Sequence, residues 1–401
     1  MLYKKWCLRL FLLIFAMSFG VAAFNFIVDP YDIYPTPDIP GVTSNKYYAK
    51  NMDWKYKPYQ FERNQPNQVI FGSSRSEIAL DPEHPAWDST QGRVYNFAFS
   101  GANITEIAAR FKSAHQSHPF KKALLGIDFF GFSAYSPNRV ATTSRLNDIF
   151  CSLFTANALK VSQKTLKKQD SKKYPGLLPN GQIAWNAYSR PIEIFGQRKF
   201  FIETEKHAVE GYLPKGHPSY SFTNTATDAD TIQIFSDILA FSRANEIELT
   251  VFVPPPHLRI LELIWLSGLW PKVGEWKRAV VDALAKEAAQ SDQPPFEFWD
   301  FSGINPVTSE EVPAPGDMSS RMQYYWEASH SKKETGDLML EVLLGKRHPV
   351  YDPASFGVLL TPNNIDDYLL QTDARFEDYR DNHAGELEEI AKTIARHNSG
   401  T

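Results

Sequence analysis

A short apolar segment that runs into small residues is the feature that most restricts how this chain can fold. Residues 68–76 read QVIFGSSRS, a pattern typical of a buried strand followed by a sharp turn and the start of a helix. A serine at such a turn is exposed at the carboxyl edge of a sheet, where open α/β folds bind their ligands. The segment therefore predicts that a first strand presents Ser74 at this edge.

Four more apolar segments continue this pattern, and stretches with helical periodicity separate them. The further predicted strands are residues 94–98, 123–127, 247–253 and 296–301. The predicted helices are residues 105–117, 232–242, 276–289 and 332–344. Because strands that alternate with helices form parallel βαβ units, we predict an α/β fold with a mostly parallel sheet of about five strands.

Changes of composition predict how the chain is divided. We expect an N-terminal membrane segment (1–28), a linker rich in proline, tyrosine and aspartate (29–67), the α/β domain (68–345) and a partly helical C-terminal extension (346–401). The domain is interrupted by an aromatic, lysine-containing insertion at about 129–227. Its lysines are interpreted as a solvated face, with contact to an anionic polymer or a membrane surface as the alternative.

The N-terminus has the pattern of a membrane anchor. Lys4, Lys5 and Arg9 precede an apolar stretch at residues 10–28, and about 20 such residues cross a bilayer. Positive charge before the stretch predicts a cytoplasmic N-terminus, and hence a single-pass protein whose bulk is periplasmic. A cleaved signal peptide is the competing interpretation, although residues 21–23 read VAA, a poor cleavage site.

Charge and cysteine content exclude several classes of function. The formal net charge of −4 provides no basic field for nucleic acid. The two cysteines, Cys7 and Cys151, belong to no CxxC or Cys/His cluster, so we expect neither a zinc site nor a disulfide framework. We expect no metal and no cofactor.

A distant histidine gives Ser74 a candidate partner. A serine hydroxyl becomes a nucleophile when a base takes its proton, and the base works best when a third group orients it. His330 supplies an imidazole just before the last helix of the predicted domain, and Glu327 lies three residues earlier. Each has a plainer interpretation: Ser74 or His330 as a helix cap, and Glu327 as a surface residue.

The oxyanion of an acyl-transfer intermediate requires preset hydrogen-bond donors. The backbone N–H groups of Ser74 and Gly101 are the candidates, because glycine lets a backbone approach a ligand closely. Arg75 is open to two interpretations, a clamp for a substrate carboxylate or phosphate and an ordinary ion pair.

The ordered motifs Gly72-Ser73-Ser74, Gly101, Gly126-x-Asp128 and Glu327-x-x-His330 resemble the blocks of the SGNH (GDSL-like) hydrolase superfamily. They are most similar to its membrane-anchored branch, which includes the alginate O-acetylation proteins and the D-alanine transfer protein of teichoic acid synthesis. The resemblance implies a three-layer α/β/α, flavodoxin-like fold and metal-free acyl transfer or ester hydrolysis on a carbohydrate.

The same resemblance implies roles for individual residues. Ser74 corresponds to the nucleophile, His330 to the base, Glu327 to the orienting acid and Gly101 to an oxyanion donor. Asp128 stands where the family usually has an asparagine that donates to the oxyanion, and an ionised carboxylate only accepts. Asp128 is therefore protonated, turned away from the oxyanion, or used for another purpose.

We expect an extracytoplasmic O-acyltransferase or acylesterase that acts on a cell-surface or exported polysaccharide through an acyl-enzyme. Its expected partners are the glycan, the membrane and a multi-spanning acyl-donor protein. A non-catalytic member that binds polysaccharide or belongs to an export assembly is the alternative, suggested by Asp128 and by the large insertion. Phospholipid or lipoprotein acyl chemistry near the membrane is a third interpretation.

Overall fold

The structure is a computed structural model that describes residues 2–136, 144–212, 220–346 and 355–399. The predicted insertion and the predicted C-terminal extension each lie partly outside these residues. The described part of the chain has a mixed α/β fold with a mostly parallel central sheet and an apolar N-terminal helix.

The strands, in chain order, are β1 (Gln68–Phe71), β2 (Val94–Asn96), β3 (Lys122–Gly126), β4 (Thr223–Asn224), β5 (Ala229–Asp230), β6 (Glu248–Val253), β7 (Glu297–Asp300) and β8 (Val358–Leu359). The α-helices are α1 (Leu2–Val28), α2 (Asp53–Asn64), α3 (Ser74–Ala79), α4 (Ile104–Ser117), α5 (Arg145–Leu153), α6 (Ala156–Leu166), α7 (Ser189–Phe195), α8 (Gln197–Tyr212), α9 (Thr231–Ala244), α10 (Leu258–Leu266), α11 (Trp270–Ser291), α12 (Lys333–Leu343), α13 (Ile365–Asn382) and α14 (Ala384–Ser399).

The main sheet has the strand order β2-β1-β3-β6-β7-β8. The first five strands of this order pair in parallel, as the alternation of strands and helices predicts. The sixth strand, β8, pairs with β7 in the antiparallel direction. The sequence analysis missed β8 because a strand of two residues is too short to show periodicity. The main sheet therefore has six strands, where the sequence predicted about five.

The strand order creates a switch point between β1 and β3. The chain leaves β1 towards β2 on one side and then returns to form β3 on the other side of β1. Loops that leave two such neighbouring strands diverge and open a crevice at the carboxyl edge, which is where open α/β sheets bind ligands. The turn after β1 and the segment after β3 are thus brought together by topology.

Helices cover both faces of the sheet. Ile70 and Leu124 form one buried cluster with Met339 and Leu340 of α12. The ring of Phe71 points to the opposite face, since neighbouring strand residues alternate, and its centroid lies 4.8 Å from that of Phe111 on α4. A sheet buried on both faces explains why these strands read as continuous apolar segments rather than as alternating ones.

Besides β8, four further elements have no counterpart in the sequence analysis. Helix α2 lies within the segment interpreted as a linker, α10 follows the strand β6, and β4 and β5 form a small antiparallel pair inside the predicted insertion. The lysine and arginine content of α2 hides its pattern, because its buried face includes polar residues as well as Tyr56 and Phe61. The position of this helix therefore depends on tertiary contacts of mixed polarity, which leave no apolar periodicity in its sequence.

The chain forms two compact units. One unit contains residues 1–63 and 140–187, and the other contains residues 64–139 and 188–401. The predicted insertion is divided between them: its central part belongs to the N-terminal unit, and its end, from Tyr188, belongs to the unit that contains the sheet.

In the N-terminal unit, α1 is long and apolar enough to cross a membrane. Its segment Tyr3–Val28 has a mean hydropathy of 2.3 over the most apolar window. Most of that window is exposed rather than packed inside the protein, unlike the core helix of a soluble domain.

One close approach sets the position of α12 and of the loop before it. Gly336 of α12 packs against the end of α3, and a Cβ atom there would overlap the carbonyl oxygen of Ala79. We predict that Gly336→Ala lowers the free energy of unfolding by about 1–3 kcal/mol, the usual cost of overpacking. Chemical denaturation of the detergent-solubilised protein measures it.

Gly385→Ala is the matched control, because Gly385 is also helical and a Cβ atom added there would have no heavy atom of the described residues within 4 Å. This substitution should be neutral or slightly stabilising, since alanine has the higher helix propensity. Equal stability of the Gly336→Ala variant and the wild type would contradict the tight packing of α3 on α12.

Candidate active site

Two glycines, Gly72 in the turn after β1 and Gly126 at the end of β3, leave room for the side chain of Ser76. A Cβ atom on Gly72 or on Gly126 would overlap the Oγ of Ser76. The turn from β1 into α3 therefore packs directly over the end of β3, and larger residues at either glycine would push it away. Asn96 at the end of β2 fixes the other end of α3, because its side-chain amide donates to the carbonyl oxygens of Ser76 and Leu80 at 3.1 Å each.

Ser73, rather than Ser74, caps the helix. The Ser73 hydroxyl oxygen accepts a hydrogen bond from the backbone N–H of Arg75, which is the ordinary function of an N-cap serine. Ser74 is the first residue of α3, so its hydroxyl is not used for the cap. Of the two interpretations of Ser74, helix cap and nucleophile, the geometry therefore does not match the cap.

Glu327 and His330 lie on a tight reversal of the chain. Tyr325 and Ser331 form an antiparallel bridge, and the backbone N–H of Trp326 donates to the carbonyl oxygen of His330 at 3.0 Å. The reversal turns both side chains to the same side. The Glu327 carboxylate then accepts from Nδ1 of His330 through Oε1 and from the backbone N–H of Ser329 through Oε2, the latter at 2.7 Å.

The same imidazole reaches Ser74 on its other side. The distance between His330 Nε2 and Ser74 Oγ is 2.7 Å, across 256 positions of sequence. Because Nδ1 faces a carboxylate, the neutral tautomer with hydrogen on Nδ1 leaves Nε2 as an acceptor towards the hydroxyl. Glu327 is buried, whereas Ser74 and His330 are partly exposed. The three groups form a hydroxyl–imidazole–carboxylate chain that solvent reaches at the hydroxyl end.

Tyr188 supports the imidazole. Its ring stacks on the ring of His330, with a centroid distance of 5.6 Å and an interplanar angle of 23°. Burial, together with the negative charges of Glu327 and Glu77, raises the pKa of the Tyr188 hydroxyl. The phenol therefore stays neutral, and it limits rotation of the imidazole away from Ser74.

Asp128 at the end of β3 is engaged by two neighbours. Its Oδ2 accepts from the hydroxyl of Ser73, and its Oδ1 is paired with Nη1 of Arg75. Of the three interpretations left open for Asp128, a separate role is the one that this geometry matches, because the carboxylate is bound by protein donors. Its charge is offset by the adjacent guanidinium.

Arg75 also joins the turn after β1 to the loop that contains His330. Its Nε donates to the carbonyl oxygen of Ser329 at 3.1 Å, and its Nη2 donates to the Ser329 hydroxyl at 3.2 Å. One guanidinium thus contacts Asp128 and Ser329, which lie at two different edges of the site. An arginine suits this position because its planar fork holds several acceptors at once.

A pocket of about 360 Å³ opens beside Ser74. Gly101 lines it with a φ of 67°, in the turn between β2 and α4, and Ser73, Arg75 and Asp128 line it on the polar side. Phe130 and Ile260 are among its apolar lining residues. The pocket therefore offers a polar end at the hydroxyl and an apolar wall, a common composition for small-molecule sites.

Among the described residues, no group of three or more His, Cys, Asp or Glu side chains is placed to hold a metal ion. Cys7 and Cys151 are both free thiols in the structure.

Two further polar residues that follow strands of the main sheet, Asp300 and His257, have structural partners. Asp300, at the end of β7, is buried, and its carboxylate pairs with Lys277 at 2.6 Å. His257 caps α10: its Nδ1 accepts from the N–H of Arg259, and its Nε2 lies 2.7 Å from the carbonyl oxygen of Glu310. Neither lines the pocket.

His257 makes the fold sensitive to acid. Burial, with a smaller contribution from the Arg259 charge, lowers the pKa of His257 to about 4 from its ordinary 6.5. Because the unfolded chain then binds a proton more readily, the stability contributed by the neutral ring is complete above pH 6.5 and is lost as the pH falls towards 4.

We predict that His257→Asn, which keeps a capping oxygen and an N–H donor, loses less stability between pH 7 and 4.5 than the wild type does, by on the order of 2 kcal/mol. Denaturant unfolding at both pH values measures the difference. The exposed His207 provides a control through His207→Asn. Identical pH slopes for the wild type and His257→Asn would count against a buried neutral histidine.

The site contains contributions that sequence reasoning did not find. The structure brings Ser74, His330, Glu327, Gly101, Asp128 and Arg75 to one edge of the sheet. Tyr188, Ser73 and Ser329 were not assigned these positions in advance. The sequence analysis considered a helix cap at Ser74 but not at Ser73, and nothing in the sequence indicates that Tyr188 stacks on a histidine far along the chain.

A scan against models of protein families and a search of curated proteins found no match to this chain.

Proposed function

We propose that this protein is a serine-dependent acyltransferase or acylesterase that forms an acyl-enzyme on Ser74. The observation that carries the proposal is the unbroken chain from the Ser74 hydroxyl through both ring nitrogens of His330 to the buried carboxylate of Glu327. A solvent-accessible hydroxyl that donates to an imidazole, itself oriented by an acid, is the arrangement that makes serine nucleophilic.

The proposed reaction has two halves. In the first, Ser74 Oγ attacks the acyl carbonyl while its proton passes to His330 Nε2, and the protonated ring returns that proton to the departing oxygen. In the second, a water molecule or a carbohydrate hydroxyl gives its proton to His330 Nε2 and attacks the acyl-serine. The bond from the acyl carbon to Ser74 Oγ then breaks, and His330 returns the proton to Oγ, which restores the free serine. The Glu327 carboxylate stabilises the imidazolium of both halves without accepting its proton.

The backbone N–H groups of Ser74 and Gly101 are the proposed donors to the oxyanion. Ser74 is the first residue of α3, and the N–H of a first helical residue has no partner within its helix. The negative charge of Asp128 would oppose an oxyanion, but the contacts with Arg75 and Ser73 compensate it. Asp128 and Arg75 are accordingly assigned to positioning rather than to the oxyanion itself.

The proposal extends to fold family, location and partners. The strand order with a switch point after β1, and helices on both faces of the sheet, suit the three-layer, flavodoxin-like arrangement of SGNH hydrolases. Helix α1 would anchor the chain in the inner membrane, with both remaining parts of the protein in the periplasm. The acceptor would be a cell-surface or exported polysaccharide, and a multi-spanning membrane protein would supply the acyl group.

We predict that Ser74→Ala lowers the rate of hydrolysis of p-nitrophenyl acetate by at least about 10³-fold, because the nucleophile is lost. Ser76→Ala is the matched control: Ser76 lies in the same helix, and its hydroxyl has no hydrogen-bond partner in the described structure. A fluorophosphonate probe should label the wild type and the Ser76→Ala variant at Ser74, as located by peptide mass spectrometry.

Ester hydrolysis by the Ser74→Ala variant at the wild-type rate would refute the acyl-enzyme. So would labelling by the probe at any serine other than Ser74. Circular dichroism of each variant establishes that the fold is retained.

We predict that Arg75→Lys lowers kcat about 10- to 100-fold with a smaller change in KM, because a misplaced base costs rate more than binding. A lysine keeps the charge towards Asp128 but cannot also contact Ser329 through a planar fork. Ser329→Ala is the control, since it removes the hydroxyl contact and leaves the contact to the carbonyl oxygen; its effect should be smaller. An unchanged kcat for Arg75→Lys would exclude the positioning role.

The non-catalytic alternative, a polysaccharide-binding or export-assembly protein, depends on Asp128. This carboxylate lines the pocket, where it can accept hydrogen bonds from sugar hydroxyls. Glycan binding that persists in the Ser74→Ala, His330→Ala double variant, together with no esterase activity and no probe labelling in the wild type, would favour this alternative.

A further inference from the structure

Helix α5 in the N-terminal unit is amphipathic in the reverse sense. A helix on the surface of a soluble protein buries its apolar side and exposes its polar side. In α5 the buried residues are Asp148 and Ser152. Ile149 and Leu153 are half-buried, whereas Leu146 and Phe150 are exposed.

The inward side of α5 is held by polar contacts. Asp148 pairs with Lys55 at 2.9 Å and accepts from the Tyr59 hydroxyl at 3.1 Å. The hydroxyls of Ser152 and Tyr34 lie 2.7 Å apart. These contacts fix the rotation of the helix about its axis, so the outward side is not free to turn in.

The outward side is an apolar stripe. Leu146, Phe150 and Phe154 are exposed to 81%, 58% and 46%, and their spacing of four residues places them along one side of the helix and its cap. The rings of Phe150 and Phe154 stack at 5.5 Å. Leaving such side chains in water costs about 25 cal/mol per Å² of apolar surface, so a covering medium is expected.

The stripe lies beside the end of the apolar helix α1. The side-chain amide of Asn25 donates to the carbonyl oxygen of Leu153 at 2.7 Å, and α1 packs against both α5 and α6. Towards its start α1 is bare, since its large apolar residues up to Phe19 are exposed. Beyond Phe19 the exposure of α1 is interrupted, since Ala22 and Asn25 are buried, although Phe26 and Ile27 remain exposed on one side. The continuously exposed part of α1 therefore ends before the residues that pack on α5.

Lengths agree with this placement. Helix α1 has 27 residues and is about 40 Å long at 1.5 Å per residue, whereas the hydrocarbon core of a bilayer is about 30 Å thick. If α1 crosses the bilayer, the surplus puts Asn25 and α5 at the membrane surface. The exposed Lys160, Lys164 and Lys167 on or just after α6 add positive charge there, which anionic headgroups attract.

We propose that α5 is an in-plane membrane helix, whose stripe of Leu146, Phe150 and Phe154 inserts into the lipid surface next to the point where α1 leaves the bilayer. It would act as a second contact that fixes the orientation of the N-terminal unit on the membrane. Amphipathic helices of this kind bury their apolar side about 5–10 Å into the boundary between headgroups and acyl chains. The inference rests on the membrane anchoring that forms part of the proposed function, and it does not depend on the chemistry of Ser74.

The test uses the full chain in nanodiscs of phosphatidylethanolamine and phosphatidylglycerol, with both native cysteines replaced (Cys7→Ser and Cys151→Ser). A nitroxide is attached at Phe150→Cys and, separately, at Leu146→Cys, because two positions guard against one poorly folded variant. Lys172→Cys, in an exposed turn, is the control for water exposure, and Phe15→Cys is the control for insertion of α1. Power-saturation electron paramagnetic resonance then measures collisions with oxygen and with a water-soluble nickel chelate.

We expect labels at positions 146 and 150 to collide readily with oxygen, and several-fold less with the nickel chelate than the label at position 172 does. Equal nickel access at positions 146, 150 and 172 would overturn the proposal. Protection from both reagents would also overturn it, because that result means that protein, such as a second copy of the chain, covers the stripe. Nickel access at position 15 would instead show that α1 is not inserted, which would remove the anchor itself.

Discussion

A single hydrogen bond, between the Ser74 hydroxyl and His330 Nε2, sets the main structural requirement of this protein. The two residues are 256 positions apart in sequence. Strand β1 directly precedes Ser74, and the other parallel strands lie between Ser74 and His330 in the chain. The bond forms only if β1 and β3 end at the same level, and if α12 sits close enough to α3 to place the loop before it. The glycines 72, 126 and 336 provide this closeness, because each stands where a side chain would collide.

The charged residues of the site fall into two sets, one that contacts the imidazole and one that connects separate chain segments. Glu327 acts directly on the imidazole, through Nδ1. Arg75 and Asp128 instead connect the separate chain segments, since the guanidinium contacts both the end of β3 and the loop of His330. The charge of the Asp128 carboxylate is thereby compensated within the protein by Arg75. These contacts also make the site dependent on the fork geometry of arginine.

Much of this arrangement was accessible to sequence reasoning, and the failures have physical causes. The parallel strands were predicted because strands buried on both faces give continuous apolar segments. The pair of Ser74 and His330 was predicted because topology brings the carboxyl edges of such strands together. Strand β8 and helix α2 were missed, since a strand of two residues has no period and α2 buries polar side chains. The stacking of Tyr188 on His330 was missed because no local pattern encodes a contact between distant residues.

The amino-acid sequence alone determined the class of fold, the apolar helix at the N-terminus and the residue types that meet at the candidate site. These properties follow from periodicity, composition and the order of short motifs, which are local. Only the tertiary structure decided that Ser73 is the cap and Ser74 the partner of His330, that Asp128 pairs with Arg75, and that α5 exposes an apolar stripe. Each of these depends on how a helix is rotated or how close two segments approach, and such distances and angles arise from packing among residues far apart in the chain.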